Sequence, residues 1–204
     1  MPKISKTSKM KIDGKRVGSW SLPAGDSCPG AKDAEVCKSC YAKKGMYRFP
    51  VVKNVREYNK EDYKKSDWVE RMTKAVNKFD YFRWFDSGDL ESKELATKIF
   101  SVIHNTPNVK HWLPTRSDKI RSMRSAIGLL EALPNVAVRR SADNVGLTKP
   151  ERLNVNSYVI TPEDIPNAQL LNITICPVGS NAAQKSCGTC TACYTDTPVA
   201  YVLH

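Results

Sequence analysis

The sequence predicts a mixed α/β fold in which strands and helices alternate into a partial (β/α) barrel, followed by a cysteine-rich C-terminal segment. Three observations carry that expectation. The strand-like runs "YFRWF", "VKHWL" and "VAVRR" recur along the chain, and apolar residues at helical spacing follow the first two. Pro-Asn pairs at 107 and 134 introduce two of these runs and stand 27 residues apart, a suitable length for one strand-helix unit. The seven cysteines fall into two groups, Cys28, Cys37, Cys40 and Cys176, Cys187, Cys190, Cys193, with 135 cysteine-free residues between them.

In chain order, residues 1–26 read as a basic, mobile segment, residues 27–175 as the partial barrel with the first cysteine cluster, and residues 176–204 as a cluster-binding segment. Asp67 begins a helical pattern with Glu70 three positions on, as in a capping box, and Val69, Met72 and Val76 follow on one face. A strand over about 80–86 leads to Asp89, and Leu95, Ile99, Val102 and Ile103 then share a helix face. The next unit has a strand near 109–113, Ser117 as helix N-cap, and Ile120, Met123, Ile127 and Leu130 on one face. "PNVAVRRSADN" starts a third unit, "SYVIT" fits one more short strand, and Pro166-Asn167 opens a fainter copy before the strand "LLNITI". Alternation at this spacing implies a parallel sheet curled by right-handed crossovers.

The first three strands are each followed by a polar cluster: Asp86-Ser87-Gly88-Asp89, Thr115-Arg116-Ser117-Asp118, and Arg139-Arg140-Ser141-Ala142-Asp143. In βα barrels the C-terminal strand ends converge on the ligand site, so these clusters are expected to face one cavity. Ser and Asp are also ordinary helix caps, whereas Arg116, Arg139 and Arg140 are not.

At 204 residues and 41% apolar content the chain is long and apolar enough for a real core. No apolar run is long enough for a membrane helix, and "MPKISKTSKMKIDGKR" lacks the apolar centre of a secretory signal, which points to a cytosol. In a reducing compartment an odd set of seven cysteines is better explained by metal or cluster ligation than by disulfides. The formal charge of +11 suggests an anionic partner, with nucleic acid the usual one. Two cubes held by seven thiolates would remove about three units of charge and leave the chain basic. "REYNKEDYKK" interleaves charge with tyrosine, as a nucleic-acid contact or a solvated face does. His104 and His111 make a poor basis for a catalytic site, and Trp84 and Trp112 fit barrel packing.

The first group is spaced C-x8-C-x2-C. Three thiolates on a [4Fe-4S] cube leave the fourth iron free for a small-molecule ligand, unless a distant residue supplies a fourth ligand. The second group, C-x10-C-x2-C-x2-C, has enough ligands to close its site, either as a second [4Fe-4S] cluster or, alternatively, as zinc. Cys176 follows a strand, which places it on the same barrel face as the polar strand ends. An alternative assigns Cys176 to the first group and leaves Cys187, Cys190 and Cys193 as the open trio.

These motifs carry two resemblances. "CPGA" with Cys37, "CYA", Gly45 and Tyr47, combined with the C-terminal "CP" and three further cysteines, resembles a phage-encoded family described as gene product eighty-eight. A cysteine trio ending in C-x2-C ahead of a partial βα barrel is more distantly similar to the radical S-adenosylmethionine (SAM) superfamily. That likeness implies a radical-SAM-like barrel in which SAM binds the open iron held by Cys28, Cys37 and Cys40. It also implies that Ser87-Gly88-Asp89 holds the SAM amino group, with Ser141 and Arg116 or Arg139 as further partners. This sequence departs from the superfamily pattern in having eight residues where three are usual between the first two cysteines, and about five visible strands where six are usual.

The expected function is therefore an iron-sulfur protein, a redox or radical-SAM-like enzyme with an open [4Fe-4S] site at the C-terminal face of the barrel. It would work in the host cytoplasm if phage-encoded. The alternative is a non-enzymatic, basic, metal- or cluster-stapled protein that binds nucleic acid or a host protein.

Overall fold

The computed structural model describes residues 1–180 and 186–203, with the side chains of 6–10, 179 and 180 outside that description. Two strands open the chain, β1 (Ser5–Ile12) and β2 (Lys15–Trp20), antiparallel and joined by Asp13-Gly14. Both turn residues have positive φ, 49° and 77°, as a two-residue hairpin turn matched to strand twist requires. The segment expected to be mobile is thus a sheet edge. The first cysteine loop follows, containing the short helix α1 (Glu35–Lys38), and then α2 (Pro50–Asp62) and α3 (Trp68–Val76).

The alternating part runs β3 (Tyr81–Trp84), α4 (Lys93–His104), β4 (Lys110–Thr115), α5 (Arg124–Glu131), β5 (Val136–Val145) and β6 (Ser157–Ile160). It continues with α6 (Ile165–Leu170), β7 (Thr174–Ile175), α7 (Pro177–Ser180) and β8 (Val199–Val202). The strands form one eight-stranded curled sheet, a half-barrel, in the order β1-β2-β3-β4-β5-β6-β8-β7, parallel throughout except for the β1/β2 pair.

The core lies between the sheet and its helices. α4 buries Leu95, Ile99, Val102 and Ile103, the face anticipated from spacing, and α5 buries Ile127 and Leu130. Phe82 and Trp84 of β3 and Leu113 of β4 meet them from the sheet. Trp20, Trp68 and Trp84 are fully buried, with Trp20 edge-on to the other two. Among the described residues no helix is long and apolar enough to cross a membrane.

Four local expectations are corrected. Asp67 makes no side-chain cap to α3; its carboxylate accepts from Arg71 at 2.8 and 2.9 Å, and a charge-assisted fork outcompetes a single backbone N–H. Ser117 does not cap α5, because 3-10 turns intervene and the buried hydroxyl donates to the Leu90 carbonyl at 2.8 Å. Pro166-Asn167 lies inside α6, whose entry is set by a Thr161/Asp164 capping box on the preceding turn. The third polar cluster is not a strand end: β5 pairs with β4 up to Arg140 and then with β6 from Ser141.

Asn135, from the second Pro-Asn pair, donates to the carbonyls of Ile103, Thr106 and Val109, tying the end of α4 to the start of β4. His111, fully buried, accepts from Trp84 Nε1 at Nδ1 and faces Thr106 Oγ1 at 2.9 Å through Nε2. The Thr106 hydroxyl proton goes to Val102, so the His111 proton sits on Nε2 and the ring is neutral. Burial lowers its pKa from 6.5 to about 3. The unfolded chain takes up a proton below 6.5 and the native chain does not, so this stability is complete above 6.5 and is lost as pH falls toward 3. Between pH 7 and pH 5 the chain is expected to lose on the order of 2 kcal/mol more than His111→Gln. Urea midpoints at the two pH values check this, and equal losses would exclude a neutral buried imidazole.

Candidate metal centres

The first cysteine loop is seated on the ends of β3 and β4. The Asp89 amide donates to Ser27 O at 2.9 Å, and Leu22 N donates to Ser87 O at 3.0 Å. Gly30 lies flat against Arg116, where a Cβ would stand 2.1 Å from the carbonyl oxygen. Gly88, at φ +78°, leaves no room for a side chain against Leu22. Short turns then place the thiols in sequence, with Cys37 N donating to Ala34 O and Cys40 N to Cys37 O.

Tyr41, next to Cys40, donates from its hydroxyl to the Asp86 carbonyl at 2.7 Å. Tyr47 donates to the Asp86 carboxylate at 2.8 Å, and Arg83 reaches both that carboxylate, at 2.9 Å, and the Tyr41 hydroxyl, at 3.2 Å. Cys28, Cys37 and Cys40 are half-buried, free of disulfides and within electrostatic range of one another. Burial pushes the Cys28 thiol up to about 11 and raises that of Cys37, against which Arg116 acts in the opposite direction.

The residues expected to hold a ligand beside this trio divide. Asp89, buried, accepts from Thr115 Oγ1 at 2.6 Å, Leu90 N at 2.7 Å and Arg116 N at 2.8 Å, and desolvation raises its pKa despite them. Ser87 Oγ accepts from Arg56 Nε and donates to Leu22 O at 2.7 Å. These groups lock the strand ends to the cysteine loop. Arg116 donates to Ala142 O and lies 3.8 Å from Asp143. The half-buried Ser141 offers its carbonyl to Arg152 at 3.0 Å. Arg139 lies elsewhere, against the second cysteine group, because alternation along β5 turns it away from Val138 and the helices.

The second group occupies the other side of the sheet from the helices. Along β3, Phe82 and Trp84 face the helices, while Tyr81 and Arg83 face the opposite side, where Arg83 stacks 4.5 Å over the Trp112 ring. Tyr194 packs edge-on to Tyr81 and Trp112, and Tyr201 stacks on Trp112. Cys176, fixed by its amide to Ala200 O at 2.8 Å, lines one pocket with Cys187, Cys190 and Cys193. Ile12, Thr174, Pro177, Ala192, Tyr194 and Val199 complete its wall, and about 20 Å³ is left free. Cys176 therefore stands with the second group.

Ile12, Tyr81 and Val199 belong to the strand ends opposite those that carry the first loop, so the two groups approach the sheet from opposite ends. The polar strand ends and Cys176 do not share one face as expected. Burial pushes the Cys176 and Cys187 thiols up to about 11 and raises that of Cys193, whose sulfur lies 3.2 Å from the Tyr201 hydroxyl. Arg83, Tyr194 and Tyr201 were not anticipated. The available signal for Arg83 was its odd position in "YFRW", between two core residues on a strand of period two.

Among the described residues no group of three or more His, Cys, Asp or Glu side chains is arranged to hold a metal ion. A tetrahedral zinc ion draws its sulfurs to about 3.8 Å of one another, from Zn–S distances near 2.3 Å, whereas a cube spreads its ligands over separate irons. The donor sets are three and four cysteines without a disulfide: four suit a zinc ion or a cube, and three would leave a cube one iron short of a protein ligand.

Fold and sites together define a cysteine-rich α/β half-barrel, with three thiols on a loop at one end of its strands and four around a pocket on its concave side. The chain belongs to the Gene product 88 family, whose model matches residues 2–196. Nothing among curated proteins or solved structures matches it.

If the first loop is seated as described, Gly30→Ala forces it off Arg116. The variant is expected to lose about 1–3 kcal/mol and to expose Cys28, Cys37 and Cys40 to faster labelling by a thiol reagent. Unchanged urea midpoint and labelling rate would place the loop elsewhere.

Proposed function

We propose that this protein binds two [4Fe-4S] clusters, one closed by Cys176, Cys187, Cys190 and Cys193 and one held by Cys28, Cys37 and Cys40 with an iron left for a small ligand. One observation carries the reading: Cys176 lines the pocket of the C-terminal set, which leaves three thiols at the first loop. When bound, such a cluster supplies one-electron redox chemistry and, at a vacant iron, Lewis acidity.

The chain's own part is positional. Gly30 and Gly88 let the loop lie against the strand ends, and Tyr41 and Tyr47 anchor its far side to Asp86. SAM is the ligand implied by resemblance to the radical SAM superfamily. In that reading Arg116, whose charge acts on Cys37, receives a ligand carboxylate, and Asp89 Oδ2, with one protein bond among the described residues, keeps acceptor capacity for an amino group. The chemistry is redox or radical, in the cytoplasm of a host if the family is phage-borne.

Protein purified without oxygen is expected to be brown, with broad absorbance near about 400 nm and up to about eight irons and eight sulfides per chain. Addition of SAM is expected to change the electron paramagnetic resonance spectrum of the reduced protein. Colourless protein with stoichiometric zinc would overturn the cluster reading, and a spectrum indifferent to SAM would remove SAM as the ligand.

A second reading, nucleic-acid binding, is favoured by the surface after Cys40. Tyr41 and Phe49 are each 56% exposed there among the exposed Lys43, Lys44, Arg48 and Lys53. It predicts affinity for single-stranded DNA that falls steeply between 50 and 200 mM salt, roughly in proportion to the phosphates contacted. Fluorescence anisotropy checks this, and a flat response removes that partner.

A further inference from the structure

Arg139 is fully buried, and its guanidinium is clamped by backbone carbonyls. Nη1 donates to Thr195 O and Thr197 O, each at 2.7 Å, and more weakly to Ala192 O at 3.4 Å; Nη2 donates to Asn156 O and Nε to Ser157 Oγ. These bonds engage all three of its nitrogens but leave its charge uncompensated. Among the described residues no carboxylate forms an ion pair with it, and the exposed Asp196 acts only at longer range. A guanidinium is always protonated, and a buried charge without a counter-charge is strongly destabilising. Arg140 next door, half-exposed, has the ordinary solution, a fork to Glu131 at 2.9 and 3.0 Å.

Beyond those carbonyls, Arg139 borders the Ala192-Cys193 side of the four-cysteine pocket. Cys193 and Tyr201 are among its electrostatic neighbours, and Ala192, which flanks Cys193, supplies one of its acceptors. Arg83 acts on the same set from the β3 side, on both Cys187 and Cys193. Two guanidinium groups thus bear on one pocket lined by four thiols. Four thiolates around one zinc ion, or around a cube whose core carries two positive charges, leave a net charge of two negative units. Arg139 supplies one unshared positive charge toward it, and Arg83, itself paired with Asp86 at 2.9 Å, lends part of a second.

We propose that Arg139, assisted by Arg83, is the built-in counter-cation of a dianionic tetrathiolate centre at Cys176, Cys187, Cys190 and Cys193, and that Tyr201 donates a hydrogen bond to the Cys193 sulfur in that centre. The inference rests on the four-cysteine site proposed above and holds for a cluster or for a single ion. The Tyr201 hydroxyl, already 3.2 Å from that sulfur, becomes the donor once the thiol has lost its proton. Buried Tyr194 Oη, with no partner among the described residues, lies on the same pocket wall, where it would face the same centre.

The test uses the full-length chain with Cys28, Cys37 and Cys40 changed to Ser, so that the C-terminal set alone reports, and takes Co²⁺ as an anaerobic probe. Sulfur-to-cobalt charge-transfer bands are expected, and Arg139→Gln is expected to weaken Co²⁺ binding about 10- to 100-fold. Arg139→Lys, which keeps the charge but not the carbonyl fork, is expected to stay within a few-fold of the parent. Equal losses in the two variants would make Arg139 a structural clamp, and no loss in Arg139→Gln would also overturn the proposal.

Should Arg139→Gln fail to fold, Arg83→Gln leaves the clamp intact and is expected to weaken Co²⁺ binding several-fold, with Arg83→Lys restoring it. Unchanged binding in Arg83→Gln would sink the charge argument. Tyr201→Phe is expected to move the charge-transfer band to lower energy, and an unmoved band refutes the hydrogen bond. Absence of any thiolate band in the parent would reject the four-cysteine centre itself, a result distinct from all of these.

Discussion

A curled parallel sheet has two faces to cover, and here they are covered by different means. Strand alternation along β3, β4 and β5 sends Phe82, Trp84, Leu113 and Val138 into the helices, and sends Arg83, Trp112 and Arg139 to the opposite face. No ordinary apolar layer can close over two guanidinium groups. The segment that does so is rich in cysteine, tyrosine and threonine, and it meets Arg139 with carbonyl oxygens, while Arg83 stacks on Trp112 of β4 and pairs with Asp86. The position of the second thiol group follows from this.

The first group is held by a different logic, close approach of backbone to backbone. The loop around Cys28 lies so near Arg116 that only glycine fits at position 30, and Asp89 binds the loop, its own strand end and β4 at once. Between the groups, Arg83 touches Tyr41, the neighbour of Cys40, and stacks on Trp112, which in turn stacks on Tyr201 beside Cys193. The two cysteine sets, far apart in sequence and seated at opposite strand ends, are joined by a short run of contacting side chains.

Much of this was legible in the residues. The helical faces of α4 and α5, the strands before them and the division of the cysteines all come from periodicity and spacing, which local sterics enforce. The hairpin at Asp13-Gly14 was missed: its turn dipeptide is a signal, but the polar strand "SKTSKMKI" hides it from a reading that looks for apolar alternation, and the segment reads as mobile. The roles of Asp67, Ser117 and Arg139 were not legible. Asp67 is drawn from its cap by Arg71 one helical turn on, Ser117 by the distant Leu90 carbonyl, and Arg139 is placed by the face of β5 on which it falls as that strand leaves β4 for β6. The grouping of Cys176 depends on β8 returning to lie between β6 and β7, an order that no local pattern encodes.

That return has a consequence for the order of assembly. Among the described residues β7 pairs only with β8, so the strand that leads into Cys176 has no ladder partner until residues 199–202 are synthesised and threaded into place. During translation the first loop can settle while the second set of thiols is still strung along an unfinished edge. The wall of the four-thiol pocket is therefore completed only once β8 has docked, and until then the sheet face that carries Arg83 and Arg139 stands open to water.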